Sequence, residues 1–71
     1  MPIHELENIG KTIRLRRETL GLTQQYIADL SEVGVRTIRE IEQGNGKNLP
    51  ILLKVADTLG MEIRLSIKSI G

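Results

Sequence analysis

Residues 23–44 read TQQYIADLSEVGVRTIREIEQG, and their spacing is that of two short helices joined by a sharp turn. Ile27 and Leu30, with the small residues Ala28 and Ser31, share a face before the turn. Val33 lies in the turn, and Ile38 and Ile41 share a face after it. Apolar residues three and four apart line one side of a helix. Ala28 stands where the following helix crosses closest, and a bulkier side chain there pushes the two apart. Thr23 is placed to cap the first helix by accepting a hydrogen bond from an orphan backbone N–H. Gly34 precedes the second as a weaker cap with no side chain. The stretch therefore predicts helices over 24–31 and 35–43.

That layout fits a helix-turn-helix, in which the first helix braces the second so that the second can enter a DNA major groove. Arg36, Thr37, Arg39 and Glu40 fall on faces that packing does not need. A helical hairpin in an inert bundle shares the apolar spacing. The small residue, the turn and the basic first turn together favour the DNA reader.

Working outward, a first helix is predicted over 8–20, with Asn8 as cap, Gly21 as stop, and Leu6, Ile9, Ile13 and Leu20 on its buried side. Residues 1–7 read as a flexible N-terminus. Gly44, Asn45 and Gly46 break the chain after the third helix. Asn48 can cap a fourth helix over 49–59, and Pro50 is tolerated in its first turn, where the missing N–H has no partner to lose. Leu49, Leu52, Leu53, Val55, Ala56 and Leu59 supply its apolar surface, and Gly60 fits the left-handed position beyond its end. Residues 8–60 thus form one helical domain.

From Met61 the period changes to two. In MEIRLSIKSI, Ile63, Leu65 and Ile67 alternate with Glu62, Arg64, Ser66 and Lys68, a strand pattern. A lone strand leaves its backbone groups unpaired. A second copy of the same segment resolves this, with 61–68 forming a two-fold antiparallel ribbon and Ile63, Leu65 and Ile67 packed on the helices beneath. The expected architecture is all-α, with a C-terminal dimerisation strand and tail over 61–71. A frayed or helical tail is the alternative.

Composition narrows the function classes. The 71 residues contain no Cys, Phe or Trp, so no disulfide or thiolate metal site can form and the core is aliphatic. A chain of this length lies near the lower limit for an independent core, and a partner subunit helps it. The opening MPIHELENIG has no apolar run, which gives no signal peptide or membrane span and a cytoplasmic, nucleoid-associated expectation. A net charge of +1 permits nucleic-acid binding without demanding it. His4 is the single histidine, and Glu40 and Glu42 point in different directions on their helix. No nucleophile arrangement, Gly-rich phosphate loop or metal cluster is present, so the expectation is a binder without cofactor or metal and not an enzyme. Tyr26, the one aromatic, can touch a sugar-phosphate or a partner protein, or simply sit half-buried at the surface.

The segment LGLTQQYIADLSEVGVRTIREIEQG resembles the lambda repressor/Cro-type (XRE) helix-turn-helix family, through L-T-Q, an aliphatic-Ala pair, T-I, and I-E-x-G. The likeness covers roughly residues 9–60. The ending LLKVADTLGMEIRLSIK, a helix followed directly by a strand pattern, is similar to HipB-like antitoxins. The resemblance implies a lambda-repressor-like domain of four to five helices that binds a palindromic operator as a homodimer. By position it assigns base contacts to Val35, Arg36, Thr37 and Glu40, with Arg39 on bases or backbone. Phosphate contacts go to Thr23, Gln24, Gln43, Asn45 and Lys47. Arg17 matches a position that pairs with the Glu of I-E-x-G, here Glu42, and the pair braces helix one on helix three. Two departures stand out: Glu32 occupies a turn position where the family has Gly, and Gly34 one where it has Ser or Thr. Either the turn is reshaped or left-handed strain is tolerated.

These readings make the chain a repressor, and an antitoxin that autoregulates a toxin–antitoxin operon. Its partners are then double-stranded DNA, a second copy, and a HipA-like kinase toxin. The alternatives are a protein-interaction module whose main task is neutralising the toxin, and a phage-type or restriction–modification controller regulator.

Overall fold

A computed structural model describes residues 4–68 and contains helices α1 (His4–Thr19), α2 (Gln24–Ser31), α3 (Val35–Glu42) and α4 (Leu49–Thr58). α1 opens at His4, so residues 4–7 are helical, which corrects the loose terminus and the Asn8 cap expected from sequence. Glu5 and Glu7 in the first turn and Arg16 and Arg17 in the last complement the helix dipole, and Leu6 packs on the core. Residues 1–3 of that expected terminus lie outside the described residues.

The other helix ends follow local chemistry. Thr23 Oγ1 accepts from the Tyr26 N–H at 3.0 Å, and Asn48 Oδ1 accepts from the Ile51 N–H at 3.1 Å. Gly34 precedes α3 as its N-terminal cap with no side-chain hydrogen bond, and the helix closes at Glu42, with Gln43 as its C-terminal cap.

Between α2 and α3 the turn keeps its shape at the expense of strain. Glu32 has φ 58° and ψ 41°, and its N–H donates to the carbonyls of Ala28 and Asp29. A left-handed non-glycine residue costs on the order of 1 kcal/mol, part of which glycine would give back through its greater loss of backbone entropy. Glu32→Gly should therefore raise the unfolding free energy by roughly 0.5 kcal/mol in urea titrations. A loss of stability there would show the turn to be unstrained.

The core is built from Ile13, Ile27, Ala28, Ile38, Ile41, Leu52, Val55 and Leu59. Ser31, fully buried, donates to Thr58 Oγ1 at 3.1 Å, and Thr58 donates to the Lys54 carbonyl at 2.9 Å. A small hydroxyl with a partner lets α2 and α4 approach closely without leaving a polar group unsatisfied.

Four leucines assigned to buried faces turn outward: Leu20, Leu30, Leu49 and Leu53 are all exposed. The tail was expected to form a strand by pairing with a second copy. Residues 61–68 form no regular element in the single chain. Met61 and Ile63 pack on the core, but Leu65 is 99% and Ile67 98% exposed. Those two side chains do not rest on the helices of their own chain. Residues 69–71 of the expected tail lie outside the described residues.

Candidate nucleic-acid interface

Three helices meet at one buried ion pair. Arg17 of α1 reaches Glu42 of α3 in a bidentate arrangement, Nε to Oε2 at 2.7 Å and Nη2 to Oε1 at 3.0 Å. The side chains are only 11% and 4% exposed. Arg17 Nη1 also donates to the Leu22 carbonyl at 2.8 Å, and Gln24 Nε2 of α2 donates to Glu42 Oε1 at 3.1 Å. The hydrogen bond to Glu42 holds the Arg17 guanidinium above its ordinary pKa, against the opposing effect of burial. The pair ties α1 to the end of α3.

α1 can sit this close because Gly10 lacks a side chain. A Cβ there would lie 2.3 Å from the Ile41 carbonyl oxygen and 3.1 Å from that of Glu42. Sequence reading passed over Gly10, although a glycine inside a helical pattern is itself a sign of close packing.

With its inner face fixed, α3 presents Arg36, Arg39 and Glu40 to solvent, and Gln43 follows at its end. The Arg36 side chain is 90% exposed and lies 3.8 Å from Glu40 Oε1, one helical turn on. Val35 is half-buried and packs on the core, so only part of it faces outward. Thr37 is also half-buried.

Beyond α3 the chain bends through Gly44, with φ 86°, while the Asn45 N–H donates to the Glu40 carbonyl at 2.8 Å. That bend brings Asn45 and Lys47 back beside the helix. Thr37, Glu40, Asn45, Lys47 and Asn48 line one groove of about 280 Å³ together with Ile41, Gly46 and Ile51. Asn48 was assigned a capping role alone, and its place in the groove emerges only from the tertiary turn.

Thr23 and Gln24 stand apart, at the start of α2. Each already has an intramolecular bond, yet each keeps a donor. The Thr23 hydroxyl accepts from Tyr26 and retains its proton, and the Gln24 amide gives one hydrogen to Glu42 and keeps the other.

The groups on this surface donate and accept hydrogen bonds and carry charge. Among the described residues no group of His, Cys, Asp and Glu is arranged to hold a metal ion, and no helix is long and apolar enough to cross a membrane.

Comparison with known proteins bears on the family and the fold. A family model described as helix-turn-helix matches residues 13–65. No curated protein sequence matches the chain. Among solved structures it is similar to the restriction–modification controller protein C.AhdI from Aeromonas hydrophila. The TM-score is 0.75 at 26% identity, over 84% of this chain and 92% of that one.

Proposed function

The chain belongs to the helix-turn-helix family and is a DNA-binding transcriptional regulator, and from that premise we propose that it represses a promoter by occupying an inverted-repeat operator as a homodimer. One observation carries the reading: the exposed face of α3 is continuous with the groove that gathers Thr37, Glu40, Asn45 and Lys47. Such a surface meets base edges and the flanking phosphates together.

Arg36 is the principal specificity residue. Its exposed ion pair with Glu40 is weak, so the guanidinium can leave it to bind guanine O6 and N7 in a bidentate manner. Glu40 accepts from a cytosine N4 amine, Thr37 and the outward part of Val35 approach the neighbouring bases, and Arg39 reaches bases or backbone. Lys47, Asn45, Gln43, Thr23 and Gln24 hold phosphates, which sets register without reading sequence.

Arg36→Ala should weaken operator binding by about 1–3 kcal/mol and relax preference at one base pair. Lys47→Ala should weaken all sequences alike and reduce the salt slope by roughly 0.9 for the one phosphate lost. Equal weakening on every sequence by Arg36→Ala would make Arg36 a phosphate contact and overturn its role.

Beside a phage-type regulator, two genomic settings have a specific observation in their favour. Similarity to C.AhdI favours a controller of restriction–modification genes, while the HipB-like ending favours an antitoxin whose partner is a HipA-like kinase. The neighbouring reading frame separates them, since a methyltransferase or endonuclease gene supports the first and a kinase-toxin gene the second.

A further inference from the structure

We infer that the C-terminal segments of two copies pair antiparallel about a two-fold axis through Leu65, so that each Ile67 closes an apolar groove on the other copy. The inference rests on the homodimer proposed above and names its register. The groove has a volume of about 210 Å³ and lies between α1 and the tail, with Ile9, Ile13, Ala56, Met61 and Ile63 among its lining. Ile63 is half-buried against it, whereas the next two members of the alternating series, Leu65 and Ile67, are almost wholly exposed. On the other face Arg64 Nε donates to Glu62 Oε1 at 2.8 Å.

In a two-fold antiparallel ribbon the numbers of opposing residues have a constant sum. An odd sum sets apolar residues against polar ones and misaligns the faces. Among even sums, an axis through Arg64 opposes two arginines, and one through Ser66 opposes Arg64 to Lys68. An axis through Ile67 opposes Arg64 to apolar Ile70. An axis through Ile63 needs the ladder to run back through Met61 and Gly60. The Met61 N–H is already given to the Ala56 carbonyl at 2.8 Å, and Gly60 is left-handed at φ 74°. That register also leaves Ile67 uncovered.

The axis through Leu65 has none of these faults. Leu65 meets Leu65 of the partner subunit, Ile63 meets the partner's Ile67, Glu62 meets the partner's Lys68, and Arg64 meets the partner's Ser66. Opposing Cβ atoms stand about 4.5–5.5 Å apart, which brings the partner's Ile67 to the mouth of the groove beside Ile63. Glu62 then has a cation on each side, Arg64 on its own segment and Lys68 across the axis.

The chain has no cysteine, so single cysteines report the register directly. Leu65→Cys, Arg64→Cys and Ser66→Cys are compared in the full-length chain under mild oxidation, with oligomeric state followed by sedimentation. All three positions are exposed, so the fold is undisturbed. Leu65→Cys should cross-link fastest, because directly opposed Cα atoms lie within disulfide reach and the diagonal pairs, at about 7–8 Å, lie at or beyond its limit. In parallel, Glu62→Lys and Lys68→Glu should each weaken dimerisation several-fold, and the double exchange should restore it.

A dimer in which Arg64→Cys or Ser66→Cys cross-links fastest overturns the register and leaves the strand-paired dimer standing. A dimer that none of the three cross-links overturns pairing through the tail. A monomeric chain overturns the homodimer itself.

Discussion

Gly10→Ala should lower the unfolding free energy by about 3 kcal/mol, the upper end of the usual range for overpacking a core. At most exposed helix positions the same substitution stabilises by about 1 kcal/mol, because alanine is the better helix former. Here the added methyl group meets the Ile41 carbonyl oxygen at 2.3 Å, with the Glu42 carbonyl and the Gly44 amide close behind. All three are backbone atoms at the end of α3, so no rotamer change relieves the clash. α1 must move away, and the Arg17–Glu42 pair opens with it. For a small domain near the lower end of the usual 5–15 kcal/mol of stability, about 3 kcal/mol is a large share. Urea titration of the variant measures it directly, and an unchanged midpoint would mean that α1 and α3 are not in contact at Gly10.

Glu42→Ala should be as damaging or more so. It leaves the Arg17 guanidinium nearly buried with its charge uncompensated, and it removes the acceptor of Gln24. Removing one partner of a buried ion pair costs about 3–5 kcal/mol, most of it from the stranded charge and not from the lost attraction. The double variant Arg17→Ala/Glu42→Ala should accordingly be less destabilised than the sum of the two single changes. Arg17→Lys should not substitute, because an ammonium cannot span both carboxylate oxygens. Strict additivity of the single changes would show that the pair does not couple α1 to α3.

Both predictions concern how α3 is held, and the sequence revealed that support unevenly. The caps at Thr23 and Asn48 and the left-handed Gly60 were legible because each depends on residues within one turn of it. The buried faces of α2 and α3 were legible at Ile27, Ala28, Ile38 and Ile41, where the apolar spacing is unambiguous. Glu32 was legible only as a conflict, and the structure resolves it by accepting the left-handed backbone. Leu20, Leu30, Leu49 and Leu53 were misread because a helix's own pattern does not say where its neighbour stops. The site divides in the same way. The outward residues of α3 follow from helical spacing, but the groove they share with Asn45, Lys47 and Asn48 exists only once Gly44 has turned the chain back. The alternation of Ile63, Leu65 and Ile67 called for a second copy, and in the single chain Leu65 and Ile67 are exposed, since the segment that would pair with them belongs to another molecule.

The most direct measurement of the central claim is selection of bound fragments from a random pool of duplex DNA by the full-length protein. An inverted repeat should emerge, its half-sites centred about 34–36 Å apart, or one helical turn, with a guanine in each half-site whose preference disappears in Arg36→Ala. Fragments enriched without any shared sequence would contradict a sequence-reading α3, and a single unrepeated half-site would contradict the two-fold dimer.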